Sequence, residues 1–356
     1  MKKRAKIIRV LISGVGGGSH GLEIMKALRQ SELDYRINAA DMNPRSLGLY
    51  CADKAFCVPA ATEAGYVPTL LRICRKEKIQ VLIHGSEPDL KALSDNRDRF
   101  EQEGVFMPFN SKEVIDLCLN KKETCAFFKR EGIAHPQTVI INAPRDSKNV
   151  RFLPAVVKPY LGAGGSQHVF IAQNKEELNF FCRYLLRYHG YAMVQEYIGS
   201  PDNEYTIGIL SGHEGGIISA IAIKRNIAAG MSNRYKVRSL HNSREYLAVS
   251  SGVSQGEVVA APAIISQCIH IAKAIHSRGP INIQCRVVAG VVMPFEINPR
   301  FSGTTYLRAL AGINEPDLLI RKYIIGRRLA AHYTPQLGLV VRGMDEMFIP
   351  RAQVRR

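Results

Sequence analysis

The sequence predicts an α/β protein whose C-terminal part turns α+β, and three observations carry that reading. Strand-like and helix-like runs alternate through the first third, a glycine-rich turn follows the first strand, and later strands fold back as hairpins. At 356 residues with 46% hydrophobic content, the chain exceeds what one core usually serves and can fill two or three. The expected units are a doubly wound, Rossmann-like domain over residues 1–110, a small subdomain over 111–190 and a larger one over 191–356.

Taken in order, "IIRVLISGV" is a β-rich run, "GGGSHGLEIMKALRQ" a glycine turn entering an amphipathic helix, and "YRINAADMNP" a second strand. "YVPTLLRICRKEK" is the next helix and "IQVLIHGSEPD" the next strand. Such alternation gives a parallel sheet, whose ligands gather at the strands' carboxyl ends, where "GVGGGSHG", "ADMNP" and "HGSEPD" lie. Gly16, Gly18 and Gly21 also fit G-x-G-x-x-G, with Asp41 at the spacing of a ribose-binding acid, so a dehydrogenase is a rival reading.

In the middle of the chain, helical stretches bracket a strand "AVVK", a glycine loop "GAGGSQ" and a strand "HVFIA". Glycines leave backbone N–H groups unobstructed, so this hairpin tip can fold over a triphosphate, and Lys158 just before it supplies a compact cation. Next, "YAMVQEYIGSPDNEYTIGIL" runs a strand through Gln195 into Glu196, Tyr197 and Ile198, then opens another strand at Glu204. A segment passing from sheet to sheet offers free backbone groups to an adenine edge, with Glu204 left to meet ribose hydroxyls.

The segment "INIQCRVVAGVVMPFEIN" reads as a hairpin turning at Ala289 and Gly290. Strand alternation puts Glu296 and Asn298 on one face and Phe295 with Ile297 on the other, buried face. Two oxygen ligands on one surface suit magnesium carried by nucleotide phosphates. A two-residue turn would set Gln284 opposite Phe295, on the wrong face, whereas a three-residue turn with a bulge sets it opposite Glu296. The bulged turn is expected, which makes Gln284 a third ligand. Arg300 follows closely, positioned to hold a transferring phosphoryl group.

The bulk properties exclude several other classes. No apolar run is long enough to span a membrane, and Met1 opens onto "KKRAKIIRVLISG" without the apolar core of a secretion signal. The net charge of +17 is spread along the chain without a zinc-finger, homeodomain or RNP-like pattern, which argues against nucleic acid. Eight cysteines scattered in apolar segments, with no C-x-x-C pair, read as reduced core thiols in a cytoplasm.

The order "NKKET", "VVKPYLGAGGS", "QEYIG…NEYT", "NIQ…FEINPRFSG" resembles the ATP-grasp superfamily, in particular the ATP-binding halves of the carbamoyl phosphate synthase large chain and stand-alone relatives. The resemblance implies a pre-ATP-grasp domain followed by a two-subdomain ATP-grasp fold, with the first glycine turn serving architecture or a substrate. It implies that Lys121 and Lys158 contact nucleotide phosphates, that Gly164 and Gly165 form a lid, and that Gln195, Glu196 and Ile198 lie at the adenine hinge with Glu204 on ribose. Glu296, Asn298 and Gln284 match metal ligands and Arg300 a phosphoryl-contacting arginine, while Lys224, Arg225, Ser232 and Ser302 are substrate candidates. Asn120 departs from the acidic residue that often precedes the first lysine.

The implied cofactors are ATP and Mg2+, with Mn2+ as a substitute. The implied chemistry joins a carboxylate, activated as an acyl phosphate, to an amine or similar nucleophile, with release of ADP and phosphate. The partners are then small molecules, with no nucleic acid and no membrane, and a homodimer is the assembly to consider. A carboxyphosphate or carbamate kinase activity and a non-catalytic nucleotide-binding shell are the alternatives.

Overall fold

The computed structural model describes residues 7–162, 167–228, 230–242, 244–343, 346–347, 349–350 and 353–354. Its first sheet has four parallel strands, β1 (Ile8–Ser13), β2 (Tyr35–Asp41), β3 (Lys54–Cys57) and β4 (Val81–His84), in the spatial order β3-β2-β1-β4. β1, β2 and β4 are almost wholly buried, as strands covered on both faces are. Val10 and Ile12 pack with Ile24 and Leu28 of the helix His20–Arg29, while Leu11 and Leu82 pack with Leu70 and Cys74 of the helix Tyr66–Glu77. The edge strand β3 was not apparent in the sequence because none of its side chains is fully buried, so it carries no hydrophobic period.

The second sheet is antiparallel, β5 (Thr138–Ile141), β6 (Ala155–Lys158), β7 (Phe170–Ala172) and β8 (Ala192–Glu196) in the order β5-β8-β6-β7. Leu178, Cys182 and Leu185 of the helix Lys175–His189 cover one face. A boundary at residue 190 therefore falls before the strand β8 of this sheet. The helices Lys112–Leu119 and Lys121–Arg130 pack elsewhere, sending Val114, Cys118, Phe127 and Phe128 into the core of the third sheet.

That third sheet has six antiparallel strands in the order β15-β14-β9-β10-β13-β16, with β9 (Glu204–Ser211), β10 (Ile217–Arg225), β13 (Gly256–Val258), β14 (Pro280–Val288), β15 (Val291–Asn298) and β16 (Gly338–Val340). A ribbon of β11 (Asn233–Arg238) and β12 (Tyr246–Ser250) joins Ile171 and Tyr197 in a small core of its own. The first and third sheets are welded together. Phe301 and the helix Glu315–Tyr323, through Leu318, Leu319 and Ile320, share one core with Ile12, Ile24 and Leu28. Each such side chain contributes about 1.5–3 kcal/mol on burial, which holds the carboxyl ends of the first sheet against the hairpin β14–β15.

Five cysteines are buried and Cys125 is half-buried, but Cys51 and Cys57 are exposed, so the reading of all eight as core thiols is corrected at those two. Among the described residues no helix is long and apolar enough to cross a membrane.

Candidate active site

The hairpin turns through Ala289 (φ 50°) and Gly290 (φ 81°), a two-residue turn closed by the pair Val288–Val291. The expected three-residue turn is therefore wrong, yet its consequence holds. Gln284 stands opposite Glu296 and Asn282 opposite Asn298, because the extra residue sits within the strand at Phe295. Pro294, beside it, has no N–H to give to a ladder, and bulges are where a strand tolerates proline. The bulge also corrects the placing of Phe295: only Ile297 is buried in the core, while Phe295 lines a cleft of about 710 Å3.

Lys121 and Lys158 reach the same cleft from two elements. Asn120 caps the helix Lys121–Arg130, its side chain accepting from the N–H groups of Lys122 (3.1 Å) and Glu123 (3.4 Å). An amide caps a helix as well as an acid does, so the departure at Asn120 leaves Lys121 fixed on the first turn. Its ammonium lies 3.6 Å from Glu296. Lys158, at the end of β6, is buried and donates to Gln195 Oε1 (2.8 Å) and the Phe295 carbonyl (3.5 Å). Gln195, itself buried, thus positions Lys158.

Burial, with the Lys121 charge behind it, lowers the Lys158 pKa to about 8 against the opposing pull of Glu296 and Cys125. Below that pH Lys158 carries the charge that a phosphate contact would need; above it, such a contact would first take up a proton. ATP affinity is expected to be level below pH 8 and to weaken about tenfold per pH unit above it. Titration calorimetry at about pH 9 in buffers of different ionisation enthalpy should report uptake of nearly one proton. Equal affinity on both sides of the transition, with no proton uptake, would remove Lys158 from the phosphate site.

The far end of the cleft is built round Glu204. The residue is 1% exposed, and its carboxylate accepts from Arg225 (3.0 Å) and Arg286 (3.2 Å). Arg286 also donates to the Ile198 carbonyl (2.9 Å) and lies over the Tyr197 ring at 4.3 Å. Glu204 lines the cleft as the centre of a buried Arg–Glu–Arg triad, with both guanidinium groups on its carboxylate. Glu196 and Ile198 line the same wall, where the Glu196 N–H is taken by the Gln137 carbonyl (2.8 Å). Arg286 was missed, though it lies two residues beyond Gln284 on the same strand face, a signal the period of two supplies.

Beyond Gln284 and Glu296 a second pocket of about 740 Å3 continues, lined also by Arg225, Asn298, Arg300 and Ser302. Its outer wall comes from the first domain: Gly18 and His20 of the glycine turn, and Glu87. Arg300 is buried, donating to Asn298 Oδ1 (2.8 Å), the Phe301 carbonyl (3.1 Å) and Glu87 (2.9 Å). Burial alone would raise the Glu87 pKa, but the Arg300 and Lys121 charges turn it downward. Glu87 was also missed; its signal was its place in "HGSEPD" at a parallel strand's carboxyl end. His20 is held well below its usual pKa by burial and by Arg300 and His84.

Two expectations, and the spacing behind the rival dehydrogenase reading, do not fit the geometry. Lys224 adjoins Arg225 on β10, so alternation sends it to the opposite face, and it lines neither pocket. Ser232 is buried and accepts from the Gln255 N–H (3.1 Å), bracing the loop rather than facing a ligand. Asp41 accepts from the N–H groups of Val15 (2.7 Å) and Asn43 (2.9 Å), so it holds the glycine turn. That turn packs backbone on backbone: a Cβ on Gly21 would lie 2.4 Å from the Gly14 carbonyl oxygen. Gly164 and Gly165 lie outside the described residues.

The oxygen donors fit a divalent cation that arrives with its nucleotide. One carboxylate and two amides, Glu296, Gln284 and Asn298, share a strand-paired surface, and no cluster of three or more His, Cys, Asp or Glu suited to a metal occurs among the described residues. Such a sparse set leaves most positions of a hard cation to phosphate and water, which is how magnesium is usually held.

Residues 10–108 match the family model "PylC-like, N-terminal domain", and residues 190–347 match "ATP-grasp in the biosynthetic pathway with Ter operon". Among solved structures, the chain is similar to the biotin carboxylase–βγ-ATP complex from Campylobacter jejuni, at 15% identity over 94% of this chain and 74% of that one, with a TM-score of 0.65. It is similar to L-amino acid ligase from Bacillus licheniformis at 15% identity over 90% and 74%, TM-score 0.64. A D-alanine–D-alanine ligase from Bacillus anthracis complexed with ATP shares 16% identity over 91% and 98%, TM-score 0.58. Residues 190–347 thus match an ATP-grasp family, and the chain as a whole shares the fold of these carboxylase and ligase structures.

Proposed function

We propose that the protein activates a carboxylate at the γ-phosphorus of Mg–ATP and passes the acyl group to an amine or similar nucleophile, releasing ADP and phosphate. The observation that carries this reading is the meeting of two cavities at Gln284 and Glu296. One has an apolar wall that includes Val156, Ile198 and Phe295, suited to a nucleobase, and ends at two lysines; the other is a polar pocket holding Arg300. A carboxylate oxygen in the second pocket attacks phosphorus, and the bond from that phosphorus to the β-phosphate oxygen breaks. The amine then attacks the acyl carbon, phosphate leaves with the electron pair of the carbon–oxygen bond, and the amine proton passes to solvent. Lys121, Lys158 and Arg300 offset the negative charge that keeps carboxylate and triphosphate apart. When bound, magnesium neutralises further phosphate charge.

The motif order alone supports the narrower likeness to a carbamoyl phosphate synthase half.

Mg–ATP is expected to raise the thermal unfolding midpoint, as a ligand specific to the folded state does, and NAD is not. Mixtures of carboxylates and amines should yield ADP and orthophosphate only when both partners are present, and hydroxylamine should trap a hydroxamate. Formation of AMP and pyrophosphate would replace this mechanism with adenylation.

A further inference from the structure

Among the described residues, the pocket beyond Gln284 and Glu296 has no apolar side chain in its lining; each described residue there is polar or glycine. Small-molecule sites are mostly walled by apolar groups with a few polar ones, so the composition is informative. The neighbouring cleft follows the usual pattern, with Val156, Val169 and Phe295 in its wall.

Hydrogen-bond balance sharpens the inference. Several acceptors of the polar pocket are committed: Glu87 to Arg300 (2.9 Å), Gln284 Oε1 to Arg225 (3.1 Å), Asn298 Oδ1 to Arg300 (2.8 Å), and Asn282 Oδ1 to Thr206 (2.7 Å) and to Arg308. Donors are in surplus. Asn298 Nδ2, Arg225 Nε and Arg300 Nε are buried with no partner among the described residues, on residues that are 4%, 4% and 6% exposed. A buried donor left unpaired costs about 1–3 kcal/mol, so such groups mark where a ligand or water brings oxygen.

We infer that the carboxylate substrate is small and oxygen-rich, a hydroxy acid whose hydroxyl oxygens face these donors in place of a hydrocarbon arm. The inference rests on the ligase reading above and adds the chemical class of its acid. A hydrocarbon arm would displace water from hydroxyls, amides and guanidinium groups and return no hydrogen bond. Sites built to hydrogen-bond a substrate oxygen reject analogues that lack it far more strongly than apolar pockets reject an extra methylene.

The test is a binding panel on the full chain saturated with magnesium and a non-hydrolysable ATP analogue, read by ligand-detected NMR and thermal shift. Glycerate, malate and gluconate are expected to bind at least about 100-fold more tightly than butyrate, leucine or phenylacetate. Equal binding, preference for the apolar acids, or no binding of any hydroxy acid while the analogue is bound overturns the substrate class and leaves the nucleotide site standing. If the analogue itself does not bind, the ligase reading falls and this inference with it.

Discussion

Glu204→Gln is expected to lower the stability of the fold by about 3–5 kcal/mol, the usual result of removing one partner from a buried ion pair. The carboxylate sits between Arg225 and Arg286, whose side chains are 2% and 6% exposed, and a neutral amide leaves both guanidinium groups with an uncompensated charge. Neither arginine can turn to water without rupturing other bonds, because Arg225 also donates to Gln284 (3.1 Å) and Arg286 to Ile198 (2.9 Å). The damage should therefore spread to the cleft proposed to hold the nucleotide, where Arg286 fixes the Ile198 carbonyl and Gln284 faces Glu296. Urea unfolding monitors the first effect and ATP titration the second. Glu257→Gln, at an exposed position on β13, is the control and should stay within about 0.5 kcal/mol of the parent. If the two variants unfold at the same urea concentration, the triad contributes nothing to the fold.

Much of this arrangement was legible from sequence because it depends on local period. Alternation of strand and helix gave the parallel sheet, and a period of two placed Glu296 with Asn298. What could not be read depends on partners distant along the chain. Glu204 read as an acceptor for ribose hydroxyls because nothing nearby announces that Arg225 and Arg286, on the two strands flanking β9, converge on it. Glu87 reaches Arg300 across 213 positions, a contact made by packing of the Glu315–Tyr323 helix on the first sheet. The bulge shows the intermediate case. Local rules narrowed Gln284 to two registers, and the correct one arose from an irregularity at Phe295 instead of in the turn. Asp41 shows the opposite error, since a motif spacing shared with dinucleotide folds is here used to brace the chain's own backbone.

Two substitutions at the hairpin end should both reduce turnover sharply while moving the magnesium requirement in opposite directions. Glu296→Gln removes the one carboxylate that, among the described residues, lines both pockets. ADP formation is expected to fall at least about 100-fold at limiting magnesium and to recover partly when magnesium is raised, because a neutral amide is a weaker ligand for a hard cation. The fold should survive. Glu296 is 27% exposed in its side chain and its pairing with Lys121 at 3.6 Å is long and solvent-screened, which limits its share of stability to about 1 kcal/mol or less. Asn298→Asp instead adds a carboxylate where the amide oxygen lies 2.8 Å from Arg300. Metal is then held more tightly and less magnesium is needed, yet turnover still falls, because a second negative charge beside the Arg300 guanidinium competes with the phosphoryl group proposed to bind there. Magnesium titrations of ADP release, run beside thermal unfolding of each variant, separate these effects. Parent-like rates in both variants at limiting magnesium would make the hairpin end a structural element only. Shifts of the magnesium midpoint in the same direction would show that Asn298 and Arg300 do not act as the coupled pair their hydrogen bond describes.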